Sequence, residues 1–402
     1  MPRTADYTIQ GFLYQFNKTA LEILTAQDDD TITVEGIVED IEVASPASLT
    51  AIQCKYHEAS TSFTASAVYK PLLQMLKHFS ENQTANIRYV LFAHFPGAGT
   101  TPPAVDKATF EAALASKDKE LRKHVKAVPS GIDLDRFEGR FAMEFGPSYD
   151  DITKQVGKEL EANGIPKGDI ETLAYPNAIN MIATLSVKHE PAERQITKKQ
   201  FLSDLTAIRT TAISRWTLAL KTREKLLQAR RKQLKVHLDK NARLRYFVID
   251  PSSIEDYDTE IVLFITDYIE KYHFKPAHIS TPILCLCANR SRIQDIQHRL
   301  YAKGIVATDG YVGAQFEGSF FFREPLSSKG AGGKVIREFS LRILSWDDHG
   351  KVLLNDRKCD DLFIIGEPDC DALDTVDVNV ERLAGATLKE IKYVMGVSNV
   401  YE

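Results

Sequence analysis

Apolar residues recur at three- and four-residue steps over Ile9–Gln27, with Phe12, Phe16, Ala20, Ile23 and Leu24 on one face. This spacing predicts an amphipathic helix, ended by Asp28-Asp29-Asp30. The period then drops to two. In Val38–Val43, Asp40 and Glu42 share one face while Ile41 and Val43 take the other. In Ala51–Tyr56, Gln53 and Lys55 share a face, and Ile52, Cys54 and Tyr56 point into the core. Ser45-Pro46-Ala47-Ser48 reads as the turn between these two strands. Ser66–Ser80 returns to the helical period, with Val68, Leu72, Leu73, Leu76 and Phe79 on its apolar side. Asn86–Phe95 is a buried strand bounded by Pro96-Gly97. After a loop at Thr100–Pro103, a charged helix is predicted over Thr109–Val125, and helices over Tyr149–Asn163 and Gly168–Leu185.

The second half opens with Thr197–Leu205 and a long basic helix, Ala207–Asp239. Strands are predicted at Leu244–Asp250, Ile279–Ala288, Ala314–Arg323 and Glu338–Ser345, and helices at Glu260–Tyr272 and Ile293–Lys303. The fold class is therefore α/β, in two domains: residues 1–200, a mixed sheet flanked by helices with a helical extension, and residues 201–402, the long helix followed by an α/β module for oligomerisation or partner docking. Leu326–Lys334 is glycine-rich, but it lacks both the glycine spacing and the hydroxyl residue of a phosphate loop, so it reads as a surface loop.

Composition narrows the class. The 402 residues are 44% hydrophobic and 26% charged, ordinary for two domains with real cores. No apolar run has the length of a membrane span, and the N-terminus lacks a secretory apolar core, so a cytoplasmic location without membrane partners is expected. The five cysteines are too scattered for a disulfide framework or a zinc site. Net charge is −5, but it is unevenly spread: between Arg209 and Arg245, twelve lysines and arginines face only Glu224 and Asp239. Such a stripe can follow a phosphate backbone, with Arg230, Arg231 and Lys232 at its centre and Lys70 as a further contact, or it can be a solvated helix face. The acidic residues gathered after Asp356 equally allow self-assembly or an intramolecular clamp.

Polar groups on one face of a core strand are costly without partners. For Asp40, Gln53 and Lys55 a divalent cation and a phosphate would be suitable partners; an ordinary hairpin with one wet face is the other reading. An acid on one strand and Gln-x-Lys on the next resembles the Mrr-type variant of the PD-(D/E)xK nucleases, in which Gln replaces the second acid. Gly11-Phe12-Leu13-Tyr14-Gln15, leading into Ala20-Leu21-Glu22-Ile23-Leu24, is similar to the first helix of that nuclease domain in bacterial anti-phage effectors, among them SAVED-linked CBASS nucleases, Lamassu nuclease subunits and HerA-associated nucleases.

The resemblance covers about the first half of the chain and implies a restriction-endonuclease-like fold and Mg²⁺- or Mn²⁺-dependent cleavage of double-stranded DNA. It implies that Asp40, Gln53 and the Cys54 carbonyl hold the metal, that Lys55 steadies the attacking water or the developing charge, and that an SMC-like or HerA-like ATPase is the partner. Gln15 stands where many such enzymes carry a Glu, so either Glu35 or Glu22 fills that role or the metal site has fewer carboxylates. A catalytically silent scaffold retaining the fold is the alternative. His57 and Glu58 follow the motif strand and read as a surface pair; His94 reads as a core histidine. The apolar positions of the long helix, from Ile208 and Trp216 to Leu234 and Leu238, exceed what a small module needs, so a homo-oligomer held by residues 200–402 is expected.

Overall fold

The computed structural model describes residues 3–36, 39–57, 62–99, 101–102, 104–330 and 335–400. Val38, Glu58, Thr100, Pro103 and residues 331–334 of the glycine-rich segment lie outside the described residues. The chain divides into two compact units, Met1–Arg209 and Thr210–Glu402. The boundary thus falls nine residues later than the expected 200/201, because Lys198–Ala207 forms a helix of the first unit. No helix among the described residues is long and apolar enough to cross a membrane.

In the first unit, α1 (Arg3–Thr25) leads into β1 (Thr31–Val34), β2 (Ile41–Ser45) and β3 (Ser48–Tyr56). Then come α2 (Tyr69–Glu81), β4 (Ile87–His94), α3 (Lys107–Leu114), β5 (Phe141–Phe145), α4 (Tyr149–Ala162), α5 (Tyr175–Ser186), β6 (Gln195–Ile196) and α6 (Lys198–Ala207). The sheet order is β5-β4-β3-β2-β1-β6. β1, β2 and β3 form an antiparallel meander, while β3, β4 and β5 run parallel. Pro46 and Ala47 are the whole turn between β2 and β3. The parallel pair β3 and β4 requires a crossover, which α2 supplies. Helices cover both faces, so Gln53 and Lys55 do not lie on an open sheet. Tyr14 of α1 packs 4.7 Å from the Tyr56 ring on the Ile52 face. On the other face, Leu72, Leu73, Leu76 and Phe79 of α2 pack with Ala51, Leu91 and Ala93, all fully buried. Truncating one of these leucines to Ala costs about 2–5 kcal/mol.

Several expected boundaries move. The strand expected to bear Asp40 begins at Ile41, after a bend at Glu39 and Asp40, and β1 and β5 are strands that periodicity did not single out. The expected helix Thr109–Val125 is two pieces, Lys107–Leu114 and Arg122–Ala127.

The second unit holds α7 (Arg223–Leu238), β7 (Arg245–Ile249), α8 (Tyr257–Tyr272), β8 (Ile283–Leu286), α9 (Arg290–Tyr301), β9 (Ala307–Thr308), β10 (Leu341–Ser345), β11 (Asp361–Ile365), β12 (Asn379–Leu383) and α10 (Leu388–Val394). The sheet is parallel throughout, in the order β12-β11-β7-β8-β10-β9. Every residue of β7, β8, β10 and β11 is buried, as expected for parallel strands covered on both faces. The stretch expected as a strand at Ala314–Arg323 is instead a two-residue strand, Gln315–Phe316, and a helical turn, Gly318–Phe322.

The expected continuous helix Ala207–Asp239 does not exist. Ile208 leaves α6 in an extended conformation, Ser214 caps a short turn at Arg215–Leu218, and α7 begins only at Arg223. Leu226, Leu227, Leu234 and Leu238 are all buried within the unit. The apolar stripe is therefore consumed by the fold and gives no ground for an oligomer. Much of the charge is consumed too. Arg223 pairs with Glu390, Arg230 with Glu381, and Arg243 and Arg245 both with Asp361. The basic and acidic segments close an intramolecular clamp.

Candidate active site

The loop from β1 to β2 sets the geometry. Glu35 adopts a left-handed conformation, φ 51°, unusual for a non-glycine residue. Its N–H donates to the Asp40 carbonyl at 2.8 Å, and its own carbonyl accepts from Arg194 Nη1 at 2.6 Å. Its side chain accepts from Gln15 Nε2 at 2.7 Å, so α1 pins the carboxylate that the loop presents. Glu42 lies beneath the loop, and a Cβ at Gly36 would fall 2.3 Å from its carboxyl carbon, so a side chain there would displace the Glu42 carboxylate.

Asp40 sits in the bend before β2, not within a strand. β2 begins at the Ile41–Ile52 pair, so β3 runs on beyond it, and Cys54 has no β2 residue opposite. The Asp40 carboxylate takes that place: its Oδ2 accepts the Cys54 N–H at 2.8 Å and the Gln53 Nε2. In a strand, the N–H and C=O of one residue point to the same edge. The Cys54 carbonyl therefore faces the Asp40 side. Burial raises the Asp40 pKa, while the Cys54 N–H, Lys55 and Gln53 pull it down. Lys55 is half-buried on the Gln53 face, and its charge acts on Glu35, Glu39 and Asp40 together.

Glu39 is the residue that sequence periodicity missed. It is 8% exposed, and its buried Oε1 has no hydrogen-bond partner among the described residues. Burial, then the neighbouring Asp40 charge, pushes its pKa up to about 8. Strict alternation would have sent it to the face opposite Asp40, but the chain bends at these two residues and alternation does not apply. The Glu39-Asp40 doublet is the one signal that could have marked it. Glu35 is likewise raised, by burial first, with the Gln15 hydrogen bond opposing it.

The structure thus brings Gln15, Glu35, Asp40, Gln53, Cys54 and Lys55 together. Glu22 instead pairs with Lys18 at 2.6 Å on α1. His57 stacks on Phe95 at 4.6 Å, and burial, then Lys55, lowers its pKa. His94 is half-buried, with Nδ1 3.0 Å from the Gly146 carbonyl, beside a cavity of about 450 Å³ at the ends of β4 and β5. The Cys54 thiol is buried and burial raises its pKa, which disfavours the thiolate that a nucleophile needs.

Whether the residues suit a divalent cation can be asked of the donor set. No group of three His, Cys, Asp or Glu side chains among the described residues is arranged around a metal position. A magnesium-like ion, however, is commonly bound through one or two carboxylates and retains several waters. Asp40, the Cys54 carbonyl and the orphaned Glu39 Oε1 are hard oxygen donors of that kind, and the Gln53 amide can present its oxygen in the flipped orientation. The three clustered acids have only Lys55 as a shared nearby countercharge, with Arg194 acting on Glu35 alone. In kind, these oxygens are the donors that a divalent cation takes.

Of the residues expected at DNA, Arg230 is a correction: it is 3% exposed and locked to Glu381, so it cannot meet a phosphate backbone. Arg231 is half-buried and donates to Ser398 and Asn399, while Lys232 and, on α2, Lys70 are exposed.

No family model matches the chain, and no curated protein matches it. Among solved structures it is similar to the Cap4 SAVED/CARF-domain containing receptor of Acinetobacter baumannii. The structure with the cyclic trinucleotide 3'3'3'-cAAA is 13% identical, covers 92% of this chain and 94% of that chain, and has a TM-score of 0.28. The one with 2'3'3'-cAAA is 14% identical, covers 96% and 93%, and has a TM-score of 0.30. The Moraxella osloensis Cap4 receptor is 12% identical, covers 99% and 94%, and has a TM-score of 0.23. At such TM-scores these likenesses establish neither fold nor function for this chain.

Proposed function

We propose that the first unit is a metal-dependent DNA endonuclease. The observation that carries this reading is the open end of the β2–β3 hairpin, where β2 starts and β3 runs on past it. Asp40 bonds the Cys54 N–H and the Gln53 amide there, and Lys55 follows on the same face. Asp40, the Cys54 carbonyl, Gln53 and Glu39 would hold Mg²⁺ or Mn²⁺. When bound, such an ion polarises the scissile phosphate and lowers the pKa of a coordinated water.

The other steps belong to the chain. The Lys55 ammonium, fixed on β3 between two packed helical layers, offers a preorganised positive charge to the phosphate oxygens as charge develops. Gln15 holds the Glu35 carboxylate, and Arg194 holds the Glu35 carbonyl, so the Glu35 end of the loop that leads to Asp40 is fastened twice. These residues act as positioning groups. By the sequence resemblance alone, the enzyme is proposed to be the nuclease effector of an anti-phage system, restrained until it assembles with an SMC-like or HerA-like ATPase.

A second reading, a silent scaffold that keeps the nuclease fold, draws on the same site: Gln15 stands where many such enzymes carry an acid, and among the described residues no three acids are arranged around one metal position. Calorimetric titration of the full chain with Mn²⁺ separates the two. Saturable binding that Asp40→Asn abolishes, with melting otherwise preserved, supports the enzyme. Absence of binding by the wild type in the presence of a DNA duplex supports the scaffold.

A further inference from the structure

A cavity of about 750 Å³ opens in the second unit, walled by α7, the C-terminal end of α8 and the turn after α10. α7 presents Arg231, Lys232 and Lys235 to it, and Asp239, the residue that follows the helix, lines the same wall. The opposite face of α7 carries the buried leucines, with Arg230 among them paired to Glu381. Lys271 adds a fourth cation from α8, against the single acid Asp239.

Two of these cations are held in place. Arg231 Nη1 donates to the Ser398 carbonyl at 2.9 Å and Nη2 to Asn399 Oδ1 at 2.8 Å, with the guanidinium 4.5 Å from the Tyr393 ring centre. Lys271 Nζ donates to the Gly396 carbonyl, and the Tyr272 hydroxyl to the Met395 carbonyl at 2.7 Å. Gly396, at φ 71°, makes the left-handed turn that brings these carbonyls round, a conformation that favours glycine. The carbonyls at this helix end would oppose an anion, but Lys271 and Arg231 already donate to them. Lys232 and Lys235 are exposed, and no ion pair joins either to a described residue. Like charges three and four residues apart on a helix repel, so their retention on a cavity wall calls for a counter-anion.

We infer that this cavity binds a small molecule carrying two or more phosphate groups. Its volume is that of a small-ligand site, and its preset arginine beside flexible lysines suits phosphate oxygens. A duplex would need the stripe to continue along the helix, and Arg230 is withdrawn from it. The inference rests on the second unit alone and stands independently of the nuclease reading.

The test is calorimetric titration of the full chain with inorganic tripolyphosphate, repeated with sulfate at equal ionic strength and with a short DNA duplex. The variant is Lys232→Gln/Lys235→Gln; both positions are exposed, and a melting curve checks the fold. The wild type is expected to bind tripolyphosphate at one site, and the variant about tenfold or more weakly, since each charge-assisted contact is worth a substantial factor. No binding by the wild type, undiminished affinity in the variant, or equal binding of sulfate would overturn the inference. So would duplex binding through these lysines without tripolyphosphate binding, which would make the surface a nucleic-acid contact.

Discussion

Lys55 and Asp40 do different work in the proposed site, and their substitutions should separate. Lys55→Ala removes a half-buried charge that forms no ion pair with a described residue, so the fold and Mn²⁺ affinity should survive while cleavage falls by a factor on the order of 10²–10³. Asp40→Asn should lose metal binding as well, because the carboxylate is the donor that also fixes the Cys54 edge. Glu39 shows where residue-level reading failed: alternation assigns faces only to residues in a strand, and Glu39 lies in a bend. Arg230 failed for another reason. It sits among freely charged neighbours in the sequence, and nothing local tells that Glu381, far along the chain, lies opposite it. Arg230→Ala should therefore destabilise the second unit by about 3–5 kcal/mol, since it leaves a buried carboxylate unpaired, whereas Arg230→Met with Glu381→Leu should cost much less. Chemical denaturation followed by circular dichroism reads both.

At the scale of elements, the motif hairpin and the β3–α2–β4 crossover were legible, because a turn signal and a clean change of period bracket them. The short strands β1 and β5 were not: four or five residues cannot display a period, and β1 is defined by its pairing with β2 and β6. β11 and β12 were hidden by the acidic run around them, which reads as surface although Asp361 and Glu381 are buried in ion pairs. α7 carries its own lesson, since a basic composition spread over 37 residues conceals a chain that breaks before Arg223. The end of α8 offers a pH test. Burial, then the Arg337 and His278 charges, lowers the His273 pKa to about 3 from its ordinary 6.5. The folded state then keeps His273 neutral where the unfolded chain takes up a proton. Its contribution is fully present above pH 6.5 and is lost as pH falls from 6.5 towards 3, by about 1.4 kcal/mol for each pH unit. His273→Phe should flatten that part of the stability profile; an unchanged slope would contradict the burial.

For the whole molecule, each unit has its own sheet and its own core, and the link between them runs through exposed Arg209 and Thr210. Brief trypsin treatment should cut first after Arg209, an exposed basic residue at the boundary of the two units, and leave two stable fragments; mass spectrometry of the products checks this. Homo-oligomerisation no longer follows from an exposed apolar stripe, so assembly with a partner rests on the resemblance and is open to sedimentation. The most direct test of the central claim is conversion of supercoiled plasmid by the full chain in Mg²⁺ or Mn²⁺, with EDTA and Lys55→Ala as controls. The expected result is nicked and linear DNA in metal only, nearly lost in Lys55→Ala at unchanged melting temperature. Cleavage that persists in Lys55→Ala or in EDTA would contradict the assignment of the open end of the β2–β3 hairpin as the active site.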